Sequence, residues 1–306
     1  MKSTRAISSQ KGWIAPAVVL LLALAFAAGP IVLHFTQKTH NVIASPDQRH
    51  PVDQPTVPGE IFASTVIAIM EHELSDGTGW RPNDFPLWGP ALWADNNSNR
   101  QLGILQAVRE SVRVFKDHLT KVSSNEYDEN LVNADKMFRN DEFKLMFPSA
   151  ESRYREGIGH LRAYIDGLKG EPRRSRPLNK RNVEAMRIFQ AWTDLLGGAH
   201  ANLYSDHADW LATDDYFYHA QGMAHAIYNL VLAVRREYAE EIQARPALQE
   251  LVGEVIAPLE AAAQLKPLIV LDGSRAGLFA NHRRNLDAFI NEARQKMYSI
   301  REELEK

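Results

Sequence analysis

Apolar side chains recur at steps of three and four along most of the chain beyond residue 60, the period of an α-helix with one buried face. The longest such run is Phe217, Ala220, Ala224, Ile227, Val231, Val234 and Tyr238, an unbroken heptad seam. Thr213 ahead of Asp214 and Asp215 supplies an N-cap and an acidic first turn for it. A second seam runs through Met186, Phe189, Thr193, Leu196, His200, Leu203, His207 and Trp210, with Gly197-Gly198 as a place for a kink. A third joins Leu286, Phe289, Ala293, Met297, Ile300 and Leu304. Shorter helices are predicted around 60–74, 100–121, 127–140, 150–168 and 246–265. Ser98 with Gln101 reads as a capping box opening the second of these, and Pro148-Ser149 before Glu151 as another start. Strict alternation with turn pairs is missing, so no sheet is expected. The fold class is all-α: an irregular bundle of about eight helices behind a single N-terminal transmembrane helix.

That transmembrane reading rests on Trp13 to Phe35, a run of 23 residues whose only ionisable member is His34. At about 1.5 Å per residue it would cross a hydrocarbon core of roughly 30 Å. Lys2, Arg5 and Lys11 precede it without an acidic residue, whereas Lys38 and Arg49 beyond it are offset by Asp47 and Asp53. The positive-inside rule therefore puts residues 1–12 in the cytoplasm, the anchor at 13–35 and the rest outside. The alternative is a cleaved signal peptide, with Ala25-Phe26-Ala27 as an A-x-A site. The apolar run continues past Gly29-Pro30 through Ile31, Val32 and Leu33, which favours an uncleaved anchor. Residues 36–58 carry Pro46, Pro51, Pro55 and Pro58 among polar residues and read as a spacer ahead of a helical domain at 59–306. Either reading exports that domain. The expected location is a bacterial inner membrane, single-pass, with the main domain periplasmic.

Composition mostly removes chemistries. The chain has no cysteine, which excludes disulfides, thiol nucleophiles and iron–sulfur clusters. A net charge of −3 gives no footprint for nucleic acid. No two of the eleven histidines stand at i, i+3 or i, i+4, and His200 and His207 on one seam would lie about 10.5 Å apart along the axis. Glu156 with His160 and Asp215 with His219 suit surface ion pairing better than a metal. No serine-nucleophile, Walker or di-iron motif occurs, so no cofactor or metal is implied.

Ser75 to Arg100 breaks the helical pattern with three tryptophans, three prolines, three glycines and four asparagines. So long an irregular segment in a compact domain is often functional. Trp80, Trp88 and Trp93 offer ring area, and Asp95, Asn96, Asn99 and Gln101 offer hydrogen bonds to a partner; the bland alternative is that the rings plug the bundle end. A second candidate surface is Lys169 to Arg181, six basic residues including Arg173, Arg174 and Arg176, suited to anionic lipid or an acidic partner unless it is a solvated loop.

The run Asp95-Asn96-Asn97-Ser98-Asn99-Arg100-Gln101-Leu102-Gly103, preceded by Gly79-Trp80-Arg81-Pro82-Asn83-Asp84, resembles an uncharacterised proteobacterial family known only as a domain of unknown function with an N-terminal membrane segment. Phe147-Pro148-Ser149-Ala150-Glu151 is similar to a second stretch of that family. The likeness covers about 60 to 300 and implies a Gram-negative envelope protein. It implies no activity and carries over no catalytic residue. One enzymatic alternative comes from Glu71-His72-Glu73 before the tryptophan segment and Gly103-Ile104-Leu105-Gln106 after it, superficially similar to lytic transglycosylases. Glu71 or Glu73 would then be a general acid at a glycosidic bond of peptidoglycan, although the serine-bearing motif that should follow is absent. The leading expectation is a non-enzymatic scaffold or adaptor. Its partners would be the inner membrane, another envelope protein or peptidoglycan, and a second copy through an exposed heptad seam.

Overall fold

The structure, a computed structural model, describes residues 15–26, 28, 43–76, 79–84, 95–121, 126–205, 213–267, 270–273 and 280–306. Residues 15–26 form a helix, α1. Its large side chains Val18 to Leu22, Leu24 and Phe26 are all exposed. The remainder of the 13–35 segment lies outside the described residues. Among those described, no helix is long and apolar enough to cross a membrane.

Further along the chain come α2 (Pro46–Arg49), α3 (Glu60–Ser75), α4 (Asp95–Val114) with a π-helical turn at Phe115–Leu119, and α5 (Glu129–Phe138). Then follow α6 (Ala150–Lys169), α7 (Asn182–Tyr204), α8 (Thr213–Glu237), α9 (Ala239–Gln243), α10 (Pro246–Gln264) and α11 (His282–Glu305). Eight of these have ten residues or more, and no strand occurs among the described residues, only one isolated bridge between Asp272 and Asn281.

The α8 seam is buried along its whole length, from Phe217 to Tyr238. It lies inside the bundle, against α4 on one side and α10 on another, so it offers no apolar seam to a second copy. Contact with α4 is closest at paired glycines. A Cβ on Gly103 would stand 1.9 Å from the His219 carbonyl oxygen, and one on Gly222 1.9 Å from that of Arg100. Leu286, Ala293, Met297, Ile300 and Leu304 of α11 are likewise buried. α7 is continuous through Gly197-Gly198, with no break. Gly197 instead makes room for the Arg294 guanidinium of α11, 3.3 Å from where a Cβ would be. α7 stops at Tyr204, and His207 and Trp210 of the predicted seam lie outside the described residues.

α3 and α6 run antiparallel. Lys169 reaches Glu60 at 2.5 Å, and Arg155 donates to the Leu74 carbonyl at 3.0 Å. The start of α3 has no side-chain cap of its own; its N-cap is Gly59, at φ +99°. Glu237, at the end of α8, supplies the cap: its carboxylate accepts from Gly59 N–H at 3.0 and 3.1 Å and from Phe62 N–H at 3.0 Å. α2 docks beside this end through Arg49, which donates to the Ser64 carbonyl and Thr65 hydroxyl, each at 2.7 Å. Burial pushes that guanidinium down to about 10.

Candidate functional site

The other end of α3 is where the two sequence motifs meet. Arg100, in α4, places Nη1 3.0 and 3.1 Å from the two carboxylate oxygens of Glu73, and both side chains are almost fully buried. In so dry a setting each charge needs the other, because losing one leaves the second uncompensated. The next residue, Gln101, points at the chain that follows α3. Its Oε1 accepts from Arg81 N–H at 2.8 Å, and its Nε2 donates to the carbonyls of Gly79 at 3.0 Å and Glu73 at 3.3 Å. Ser98 is therefore not a cap: α4 begins at Asp95, and Ser98 is a buried residue of its first turns.

Residues 79–84, so held, grip the α5–α6 connection. Trp80 is buried, donates Nε1–H to the Glu142 carbonyl at 3.1 Å, and stands edge-on to Tyr154 with centroids 5.1 Å apart. Asn83 Nδ2 donates to the Lys144 carbonyl at 3.0 Å and to Glu151 Oε2 at 2.8 Å. Arg109 of α4 takes the carbonyls of Phe138 and Asn140 at 2.7 Å each and Glu142 Oε2 at 2.9 Å. Backbone groups of residues 138–144 thus have fixed partners on three other segments.

What this pinned connection presents to solvent is apolar. Phe143 is 53 % exposed, Leu145 48 %, Met146 58 % and Phe147 91 %. Phe147 also has φ +52°, a region that bulky residues rarely enter. Ser149 then caps α6 by accepting from Ser152 N–H, as its sequence predicts. Four large side chains exposed on and just after this pinned stretch make a contact surface, since each would gain from leaving water.

A family model described as "Uncharacterized protein conserved in bacteria (DUF2333)" matches residues 10–182 and 173–306. The chain belongs to this family. Neither a curated protein nor a solved structure matches it. The interlocked segments of this DUF2333 chain, 79–84, 95–103 and 147–151, all fall within the first matched stretch.

The predicted site residues divide sharply. Glu73 is committed to Arg100, and Glu71 pairs with Arg162 on the surface. Asn99 donates to Asp215 of α8 at 2.5 Å, so Asp215 is engaged across helices; Glu156 likewise pairs with Arg153 at 2.7 Å instead of His160. Asn96 is half-buried in α4, Asp95 opens that helix, and Trp88 and Trp93 lie outside the described residues. The basic loop is largely matched by acids on other elements: Lys169 with Glu60, Arg176 with Glu126, Lys180 with Glu241 and Arg181 with Glu184. Arg173 donates to the Leu168 carbonyl, and Arg174 is exposed. His200 pairs with Asp287 at 2.6 Å, and among the described residues no cluster of three His, Asp or Glu could hold a metal ion.

Sequence reasoning passed over Phe143, Leu145 and Met146. The available signal was an apolar run, Phe143 to Phe147, without helical period between two helices. It also passed over a cavity of about 500 Å³ between α8, α10 and the segment around α2, with His225 on its wall.

Proposed function

We propose that this DUF2333 protein is a non-enzymatic, membrane-tethered adaptor of the bacterial envelope, which holds an apolar groove of a partner protein through Phe143, Leu145, Met146 and Phe147. The observation that carries the reading is the exposure of these four side chains on a backbone pinned by Trp80, Asn83 and Arg109. Ordering a loop on binding costs entropy, and the pinning of residues 138–144 reduces that cost.

The tether is the 13–35 segment, with 36–58 as spacer and 59–306 in the periplasm. The exposed apolar side chains of α1 support it, because the domain leaves them uncovered and hydrocarbon is their natural medium. Geometry favours a protein over a lipid surface as the occupant. Arg49 docks α2 against Ser64 and Thr65, toward the Glu60 end of α3, and the apolar loop stands at the Ser75 end. Sixteen residues of helix separate the two ends, about 24 Å. The loop thus stands toward the other end of α3 from the contact of Arg49. A second copy is a poorer occupant, since four side chains on a loop tip offer less area than a self-complementary face needs.

Glycosidic chemistry finds less support. A general acid needs a proton to give and access to substrate, whereas Glu73 is buried against a guanidinium and Glu71 is an exposed ion-paired group.

The test is a photo-crosslinking residue placed at 147 in the full-length protein in cells, with position 52, exposed near the tether, as control. A defined adduct with another protein from 147 alone supports the reading. Adducts of twice the chain's mass, lipid adducts only, or no adduct would overturn it. A reporter active only outside the cytoplasm, fused to Lys306, tests the topology separately: an inactive reporter would place the domain in the cytoplasm.

A further inference from the structure

The cavity between α8, α10 and the α2 segment is lined by groups that bind nothing suited to their charge. Lys266, just past α10, has no carboxylate partner among the described residues. Glu260, on α10, has no cationic partner among the described residues; its carboxylate accepts from a neutral group, Gln264 Nε2, at 2.9 Å. The two share the wall without pairing with each other. Beside them is His225, 7 % exposed, whose Nε2 has no hydrogen-bond partner in the protein. Burial first, then the neighbouring Arg100, holds that imidazole well below its usual range, so it is neutral. Its backbone carbonyl accepts from Asn229, also on the wall. Ile43 and Leu232 add apolar surface, and Ser45 and Gln48 complete the rim. A buried polar atom without a partner is uncommon, and His225 Nε2 beside a cavity of about 500 Å³, with the exposed Lys266 and the half-buried Glu260 on its wall, marks a place for a ligand.

We propose that this cavity binds a small zwitterion, an amino acid or short peptide, with its carboxylate on Lys266, its ammonium on Glu260 and a polar group against His225 Nε2. The charges on the wall select this class. A phosphate or other multiply charged anion would face the Glu260 carboxylate, and a simple cation would face Lys266. A purely apolar ligand would bury both charges unpaired. The site is separate from the apolar loop, since none of residues 79–84 or 138–147 lines the cavity.

Titration calorimetry on the full-length protein tests the proposal with three probes: alanylalanine, its N-acetyl derivative and its C-terminal amide. The unblocked dipeptide should bind saturably, and each blocked form about tenfold or more weakly, one charge-assisted contact being lost in each. Lys266→Met should reduce the dipeptide to the affinity of its amide, and Glu260→Gln to that of its N-acetyl form, with near-ultraviolet circular dichroism unchanged. Equal binding of blocked and unblocked forms, or unchanged affinity in both variants, would overturn the assignment. So would the absence of saturable heat up to ~10 mM for both the dipeptide and a pool of unblocked tripeptides.

Discussion

Glu237 is the residue whose removal the structure prices most directly. Its carboxylate is 4 % exposed and satisfies two backbone N–H groups at the start of α3, from a position 178 residues further along than Gly59. No local side chain can take over, because the N-cap is a glycine. That glycine is itself required: at φ +99° a side chain is strained, and a Cβ would meet the Tyr164 hydroxyl at 2.7 Å. Glu237→Ala therefore leaves two donors orphaned. A lost cap costs about 0.5–2 kcal/mol and a buried unpaired donor about 1–3, so after removing the carboxylate's own burial cost the expected loss is about 2–4 kcal/mol. Glu237→Gln keeps one acceptor oxygen and should lose about half as much. Burial outweighs the backbone hydrogen bonds and raises the Glu237 pKa above its ordinary value. A raised carboxyl pKa means that the folded state binds the proton more tightly, so this group's contribution is greatest below the unfolded pKa and shrinks as pH rises through the folded one. The gap between wild type and Glu237→Gln should thus widen from pH 7 toward pH 5. Urea unfolding followed by circular dichroism, with unchanged m, reads both quantities. A Glu237→Ala protein within ~0.5 kcal/mol of wild type, or a gap that narrows on acidification, would refute the reasoning.

Gly103→Ala and Gly222→Ala each push a Cβ into a backbone carbonyl and should cost about 3 kcal/mol or prevent folding, while Gly198→Ala, with nothing within 4 Å, should gain about 0.5–1 kcal/mol in thermal unfolding. Breaking the buried pair by Arg100→Met should cost about 3–5 kcal/mol, more than Arg162→Met at the exposed Glu71 pair, which should cost under about 1; equal losses in urea unfolding would show that the burial argument is wrong. Purified sacculi incubated with the protein should release no muropeptides, and release abolished by Glu71→Gln or Glu73→Gln would restore the glycosidase reading. Phe147→Gly should keep or raise stability by up to about 1 kcal/mol, since the φ of +52° suits glycine and the ring packs on nothing; a clear loss in Tm would mean that the ring is structural.

Elements whose stability is periodic were legible in the chain. The seams of α8 and α11 are buried, and a buried stripe is written at steps of three and four whatever it packs against. Ser149 was legible because a cap acts within three residues. Partners chosen by the fold were not. Ser98 and Gln101 have capping-box spacing, but Gln101 serves Arg81 and Gly79 instead, and nothing local distinguishes the two uses. Trp80 has the company of an interface residue, and only Tyr154 and Glu142, more than sixty residues away, make it core. The basic loop looked like a cationic patch because Glu60, Glu126 and Glu241 are brought to it by other segments, with Glu184 three residues past Arg181.

The same accounting separates what holds this molecule together from what it can offer to others. Three of its buried carboxylates are used on one helix: Glu60 on Lys169, Glu73 on Arg100, Glu237 on the start of α3. Each lies at an end of α3, and each joins that helix to a different segment of the chain. A carboxylate fixed in this way contributes to shape and is poorly placed to exchange protons with a substrate. Two places are left with unmet demands. One is apolar, the tip from Phe143 to Phe147, where the protein supplies no cover. The other is polar, the cavity where Lys266, Glu260 and His225 Nε2 lack complementary partners. They share no residue, and the spacer segment around Ser45 forms part of the cavity rim. An adaptor needs a contact surface and a fixed attachment; a ligand in the cavity lined by Ile43, Ser45 and Gln48 would stabilise the docking of α2 without touching the contact surface.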